Sequence, residues 1–267
     1  MMPTFRERLH AAARRNDSWV CVGLDPDPAK LPRVGSVADE TRVFLLDVID
    51  ATKDEVCCFK PNAAFFEAIG PGGHEVLAEI VARAQRHAPV ILDAKRGDVG
   101  NTAKAYATWA FDKVGAEAVT VSPFMGRDSL EPFTERAERG VFVLARTSNP
   151  GAAELQSLKL ATGEAVYERV VRLATTEWNA RGNVGLVAGA THPEELARIR
   201  QLAGPDALLL VPGVGAQGGS VEHAIRFGAN ALGDNAIVSS SRAILYSADP
   251  AAAAAKLKEE LNHFRGR

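Results

Sequence analysis

Within ILDAKRGDVGN, residues 91–101, the charged residues Asp93, Lys95 and Asp98 follow an apolar run, and Lys60 ends an earlier one, VCCFK. Residues 91, 93 and 95 share parity, so on a regular strand Asp93 and Lys95 project to the same side. Lysines interleaved with aspartates can stabilise a developing charge and move a proton. The carboxylates would keep such an amine protonated against the desolvation that otherwise lowers its pKa. One Asp–Lys pair alone could equally be a solvated ion pair at a strand end; Lys60, on the preceding apolar run, favours the chemical reading. Asp98 stands apart. Five residues beyond Asp93, it falls in the following turn, where a short polar side chain could cap a helix starting near Asn101 and Thr102. Arg96-Gly97-Asp98 also spells a cell-adhesion tripeptide, a chance match in a chain whose start lacks a secretory h-region.

Two further segments have the composition of a binding site. PGVGAQGGS, residues 212–220, is an anion-cradle sequence: its glycines let backbone N–H groups approach an oxygen, and a helical pattern follows. Arg242 lies one strand further on, and an arginine can grip two phosphate oxygens at once. ARTSNPGAAELQSLKLATGE, residues 145–164, is long enough for a lid or binding loop. In it Ser148 and Asn149 offer hydrogen bonds to a polar ring, although Asn149-Pro150-Gly151 also reads simply as a turn.

These residues need a scaffold that gathers them. β-rich runs recur at 18–24, 56–60, 89–95, 117–122, 140–146, 183–189, 207–213 and 235–241. Amphipathic segments such as HEVLAEIVARAQRH and HPEELARIRQLAG separate them. At the end, Asp249 is placed to cap a helix with Pro250 in its first turn. Eight near-continuous apolar strands alternating with helices predict an α/β fold, a closed parallel (β/α)8 TIM barrel. The rival is a doubly wound open sheet, but its usual GxGxxG turn is replaced by GLDPDP after the first strand. No Pro/Gly/Ser-rich linker divides residues 1–267, so one barrel domain is expected, its leading helix covering one end. Function in such barrels belongs at the C-terminal strand ends. Asp25, Lys60, Asp93, Lys95, Ser148, Pro212 and Arg242 all fall there.

Composition narrows the partners. The 267 residues are 46% apolar and 24% charged with a net charge of −2, and no dense basic block suggests nucleic acid. No 18-residue apolar run is present to span a membrane. Cys21, Cys57 and Cys58 sit in apolar runs without CxxC spacing, as buried reduced thiols of a cytoplasmic protein would. Six scattered histidines give no metal signature, and no metal is expected.

Taken together, GLDPDP, FKPN, LDAKRGDVGNTAKAYA, TSNPG, PGVGAQGG and SRAI resemble the orotidine 5′-phosphate decarboxylase family, particularly its longer bacterial (type 2) branch. The third and fifth segments carry the specificity. The resemblance implies a barrel of the ribulose-phosphate-binding type, a homodimer, and decarboxylation of orotidine 5′-monophosphate to uridine 5′-monophosphate in pyrimidine biosynthesis, with no cofactor. It also implies roles. Lys60, Asp93, Lys95 and Asp98 match the charge array, with Lys95 protonating C6 and Asp93 facing the substrate carboxylate. Asp98 and Thr102 would reach the partner subunit's site. Asp25 and Lys60 would hold ribose hydroxyls, Ser148 the pyrimidine, and Gln217 and Arg242 the phosphate, with Pro212 opening the gripping loop. Related magnesium-dependent barrels carry a metal-binding carboxylate at the second-strand position, where this chain has Lys60.

Overall fold

Eight apolar runs become eight parallel strands: β1 (Val20–Leu24), β2 (Cys58–Pro61), β3 (Ile91–Arg96), β4 (Ala118–Val121), β5 (Gly140–Arg146), β6 (Val184–Ala188), β7 (Leu209–Val211) and β8 (Ala236–Ser240). The structure, a computed structural model, describes residues 3–31, 35–215 and 218–266. Hydrogen-bonded neighbours run β2-β1-β8-β7-β6-β5-β4-β3. The parallel bridges Phe59↔Val90 and Asn62↔Asp93 join the two ends of that order, so the sheet closes into a barrel. Closure rules out the doubly wound alternative, which keeps two open edges.

Helices alternate with the strands on the outside. The first half carries α1 (Phe5–Asn16), α2 (Val37–Thr52), α3 (Ala63–Glu67), α4 (Gly73–Ala84), α5 (Gly100–Thr108) and α6 (Arg127–Thr134). The second carries α7 (Ala153–Gln156), α8 (Val166–Thr175), α9 (Pro193–Ala203), α10 (Val221–Gly228), α11 (Arg242–Leu245) and α12 (Pro250–Phe264). Parallel strands are buried on both faces, hence their unbroken apolar character. One set of side chains packs outward against the helices, as Val22, Phe59, Val119 and Val238 do. The alternate set, including Cys21, Cys58, Ile91, Phe142, Leu210 and Ile237, fills the barrel interior. All three cysteines are free and buried. Among the described residues, no helix is long and apolar enough to cross a membrane.

The N-terminal mouth is plugged by α1. Thr4 and Glu7 form a reciprocal capping box at its start, satisfying two otherwise orphaned N–H groups. Its Phe5, Leu9 and Ala13 join the interior cluster, with the Phe5 ring edge-on to Phe142 at 5.8 Å. Gly140 makes this possible, since a Cβ there would fall 2.4 Å from the Phe5 ring. With one mouth filled, ligand access is left to the opposite, C-terminal face. At the far end of the chain Asp249 accepts from the Ala252 N–H at 3.0 Å and Pro250 opens α12, as its sequence predicts.

The connection after β5 is more ordered than a plain lid. A 3-10 turn (Pro150–Ala152) leads into α7, and Lys159 bridges to Ala165 before α8 begins. Its root is anchored by Arg146, buried at 3% exposure, which donates to Glu195 on α9 at 2.6 Å and to the Thr147 carbonyl at 3.0 Å. Buried arginines need such complete pairing, because an unpaired buried charge is costly.

Candidate active site

Asp93 is the centre of the site. Its Oδ2 accepts from Lys60 Nζ at 3.1 Å and its Oδ1 from Lys95 Nζ at 2.7 Å. Lys60 and Asp93 are buried, whereas the Lys95 side chain is 48% exposed to the cavity above. Burial alone would pull the Lys60 ammonium down, but the Asp93 and Asp25 carboxylates more than reverse this and hold it above an ordinary lysine. Burial likewise pushes Asp93 up, and Lys60, Lys95 and a hydroxyl from Thr120 outweigh it, holding the carboxyl well below the usual carboxylate range. Both shifts favour the ionised forms of Lys60 and Asp93.

The parity expectation for β3 meets a correction in mechanism. Ile91 and Leu92 pair regularly with Ala118 and Val119, but Arg96 next pairs with Val121, so the register shifts across Asp93, Ala94 and Lys95. Lys95 sits at φ +46°, a left-handed conformation that costs a non-glycine residue about 1–3 kcal/mol. An irregular strand end, rather than simple alternation, therefore brings the Lys95 amine onto Asp93. Thr120 on β4 holds this irregularity: its hydroxyl accepts the Lys95 backbone N–H at 3.0 Å and donates to Asp93 Oδ1 at 2.8 Å. Sequence reasoning passed over Thr120, although it is the lone hydroxyl inside the apolar run EAVTV and faces inward with Ala118.

Arg96 faces the other way. Its guanidinium lies 4.9 Å from the ring centroids of both Tyr106 and Trp109 and pairs with Glu67. The Arg-Gly-Asp string is consequently not displayed as a free tripeptide.

A cavity of about 1090 Å³ opens over the C-terminal strand ends. Lys60, Asp93 and Lys95 share its wall with Asp25, Ser148, Pro212 and Arg242. Asp25 neighbours the array directly: its Oδ1 accepts from the Asn62 N–H at 3.2 Å, and β1 pairs Gly23 with Lys60. Ser148 is seated by Gly189, where a Cβ would lie 2.9 Å from the Ser148 backbone nitrogen. Thr147 braces the same loop, its N–H bonded to Gln156 at 2.9 Å and its hydroxyl to Asn149 at 2.7 Å. Asn62, Thr147 and Ser239–Ser241 also line the cavity; they lie in or beside the FKPN, TSNPG and SRAI segments, whose pattern assigns them no role of their own.

In the described part of the glycine loop, several backbone amides bond within the loop itself. The N–H groups of Gly215, Gly218 and Gly219 bond to the carbonyls of Gly219, Gly215 and Gly213 at 2.9, 2.8 and 3.0 Å. Those amides are spent folding the loop, and positive φ at Gly213, Gly215 and Gly218 permits the turn. Arg242 lines the cavity and has no ion-pair partner among the described residues. Gln217, the other expected phosphate ligand, lies outside the described residues.

Asp98 and Thr102 do not line this cavity. Asp98 is half-buried, its Oδ1 accepting from the adjacent Val99 N–H at 2.8 Å, and Thr102 is exposed on α5. The helix-capping reading of Asp98 is not met: α5 starts at Gly100, with Val99 in the cap position and no side-chain cap. Among the described residues, no three His, Cys, Asp or Glu side chains cluster as metal ligands would.

The family described as "Orotidine 5′-phosphate decarboxylase / HUMPS family" matches residues 18–257. Orotidine 5′-phosphate decarboxylase from Roseiflexus sp. (strain RS-1) is 48% identical over 245 residues, covering 91% of this chain and 89% of the relative. The protein of that name from Haloarcula marismortui is 51% identical over 282 aligned residues, covering 98% and 99%. Among solved structures, Leishmania donovani OMP decarboxylase superposes with a TM-score of 0.89 at 42% identity, covering 99% of both chains. A putative orotidine-monophosphate-decarboxylase from Toxoplasma gondii gives 0.94 at 38% identity, covering 99% and 96%. Sequence and fold agree over nearly the whole length, and this chain belongs to the orotidine 5′-phosphate decarboxylase / HUMPS family.

Proposed function

We infer that this protein decarboxylates orotidine 5′-monophosphate to uridine 5′-monophosphate, without metal or organic cofactor. The observation that carries the reading is the meeting, in one cavity, of the Lys60–Asp93–Lys95 array and Arg242, which has no ion pair among the described residues. Arg242 and Gln217 hold the phosphate, with Pro212 opening their loop; Asp25 and Lys60 hold the ribose; Ser148 faces the pyrimidine. The C6–carboxylate bond breaks, carbon dioxide leaves, and the electron pair stays on C6 in the ring plane, where the π system cannot delocalise it. The Lys95 ammonium stabilises that pair electrostatically and then transfers a proton to C6.

Repulsion between Asp93 and the substrate carboxylate contributes less. At about 4 Å and an effective dielectric near 20, two bare like charges cost roughly 4 kcal/mol, or about three powers of ten in rate. Asp93 is not bare, because both its oxygens already accept from ammonium groups. Most of the rate enhancement is therefore assigned to Lys95 and to closure driven by phosphate binding.

The array is completed by a second copy of the chain. Asp98 and Thr102 lie outside their own cavity; Val99, next to Asp98, and Phe124 and Met125, in the connection after the neighbouring strand β4, leave apolar surface exposed, Phe124 at 86%. Exposed apolar side chains on the connections after two adjacent strands, with an acidic residue on one of them that does not line its own cavity, suit a homodimer in which Asp98 enters the partner's site. A partner aspartate would bring the four-residue array to neutrality. Three buried free thiols suit the reducing cytoplasm.

Release of carbon dioxide from orotidine 5′-monophosphate in the presence of a chelator tests the activity. Undiminished release is expected; activity lost on chelation would return the chain to the magnesium-dependent branch. Mixing inactive Asp98→Ala and Lys95→Ala chains tests the dimer. Random exchange makes half the dimers mixed, each with one intact shared site, so about one quarter of wild-type activity is expected to return. No recovery despite demonstrated subunit exchange would remove Asp98 from the partner's site.

A further inference from the structure

Among the described residues, one buried hydroxyl in the barrel interior above its apolar layer bonds directly to the array. Thr120 is 1% exposed and comes from β4, a strand that contributes no charged side chain to the site. Its two hydrogen bonds have forced directions. A backbone N–H can only donate and an ionised carboxylate can only accept, so the hydroxyl must accept from Lys95 and spend its single hydrogen on Asp93.

Both bonds meet a local need. The register shift takes Lys95 out of the regular β3–β4 ladder, which resumes where the Ser122 N–H bonds to the Arg96 carbonyl at 2.8 Å. A buried backbone N–H left without an acceptor is rare and destabilising, and Thr120 Oγ1 takes the place of the missing carbonyl. The same hydroxyl fixes the rotation of the Asp93 carboxylate, on whose Oδ1 the Lys95 amine also rests. Lys95 is thus held at its backbone and at its amine through one threonine, while the Arg96 clamp on Tyr106 and Trp109 secures the next residue from outside. The charged groups facing Asp93 are Lys60 from β2 and Lys95 from β3, with Asp25 from β1 acting on Lys60.

We propose that Thr120 is a positioning residue for the decarboxylation, setting the left-handed backbone of Lys95 and the orientation of Asp93 so that the ammonium is aimed at C6 before substrate arrives. The proposal rests on the decarboxylase reading above. Because Thr120 acts through Lys95, its loss should fall on the chemical step and not on nucleotide binding, which is carried by the ribose and phosphate contacts. Misplacing a reacting group by about 1 Å can cost on the order of 100-fold.

The test compares wild type, Thr120→Val, Thr120→Ala and Thr120→Ser in carbon dioxide release, uridine 5′-monophosphate binding and the carbon-13 titration of Asp93. Thr120→Val keeps the shape and deletes both hydrogen bonds; it is expected to lower kcat by about 10- to 100-fold. KM and product affinity should stay within about threefold, and Thr120→Ser should recover kcat to within about threefold of wild type. The acid limb of the rate profile and the Asp93 titration should both move to higher pH, since a donor to the ionised carboxylate is gone. Thr120→Ala carries the same expectation if the valine variant does not fold. Wild-type kcat in a folded valine or alanine variant, equal losses in valine and serine variants, or a loss confined to KM would each overturn the proposal. Wild type inactive on orotidine 5′-monophosphate would refute the function instead, and the Asp93 titration would still decide whether Thr120 holds the carboxylate.

Discussion

Lys95→Ala is expected to lower kcat for orotidine 5′-monophosphate by about 10⁴- to 10⁷-fold while leaving a folded protein that binds uridine 5′-monophosphate. A positioned general acid is worth about 10²–10⁴, and a group aimed at developing charge about 10²–10³ more, and one ammonium supplies both. The fold should survive. Lys95 packs no core surface, and after its loss Asp93 keeps Lys60 at 3.1 Å and Thr120 at 2.8 Å. Thermal unfolding and product binding measured beside carbon dioxide release separate the two effects. Near-normal turnover by a folded variant would end the assignment of Lys95 as proton donor, and with it the whole carbanion mechanism.

Removing the phosphate from the substrate is expected to reduce kcat/KM by about 10²- to 10⁴-fold, although that group lies far from C6. A bidentate arginine makes two charge-assisted hydrogen bonds worth roughly 1.5–3 kcal/mol each, and about 1.4 kcal/mol is tenfold. Arg242 has no ion pair with the described protein to give up when it takes that phosphate, so little of this energy is lost to exchange. Binding energy realised away from the reacting bond can draw the site closed around C6, so part of the loss should appear in kcat. Comparing orotidine with its 5′-phosphate, in wild type and in Arg242→Ala, checks this. Arg242→Ala should harm only the phosphorylated substrate, and equal efficiencies for the two substrates in wild type would dispose of the phosphate's role.

Much of the architecture is legible in the residues. Strands buried on both faces must be apolar throughout, so each of the eight leaves a visible run, and the residues at or just past its C-terminal end mark the rim. That logic alone locates Asp25, Lys60, Asp93, Ser148 and Pro212 on one face, and the cavity contains all five. Capping chemistry is equally local, and Asp249 with Pro250 starts α12 where their types require. The glycine loop is legible as a turn, but composition does not say which carbonyl each N–H will meet.

Residue order therefore dictates the inventory: eight strands, alternating helices, and the charged residues at each strand end. These follow from periodicity and burial, which act over a few residues at a time. How Lys95 meets Asp93 is settled instead by packing in three dimensions. A regular strand would do it by alternation, whereas here a register shift against β4 and a left-handed Lys95 do it, held by a hydroxyl 25 residues away. The physical reason is that a bulge is a compromise between two strands, and a backbone N–H freed from its ladder bonds to whatever acceptor the neighbouring strand presents. The placement of Asp98 has the same origin: it falls in the turn that follows the bulge and does not line its own cavity.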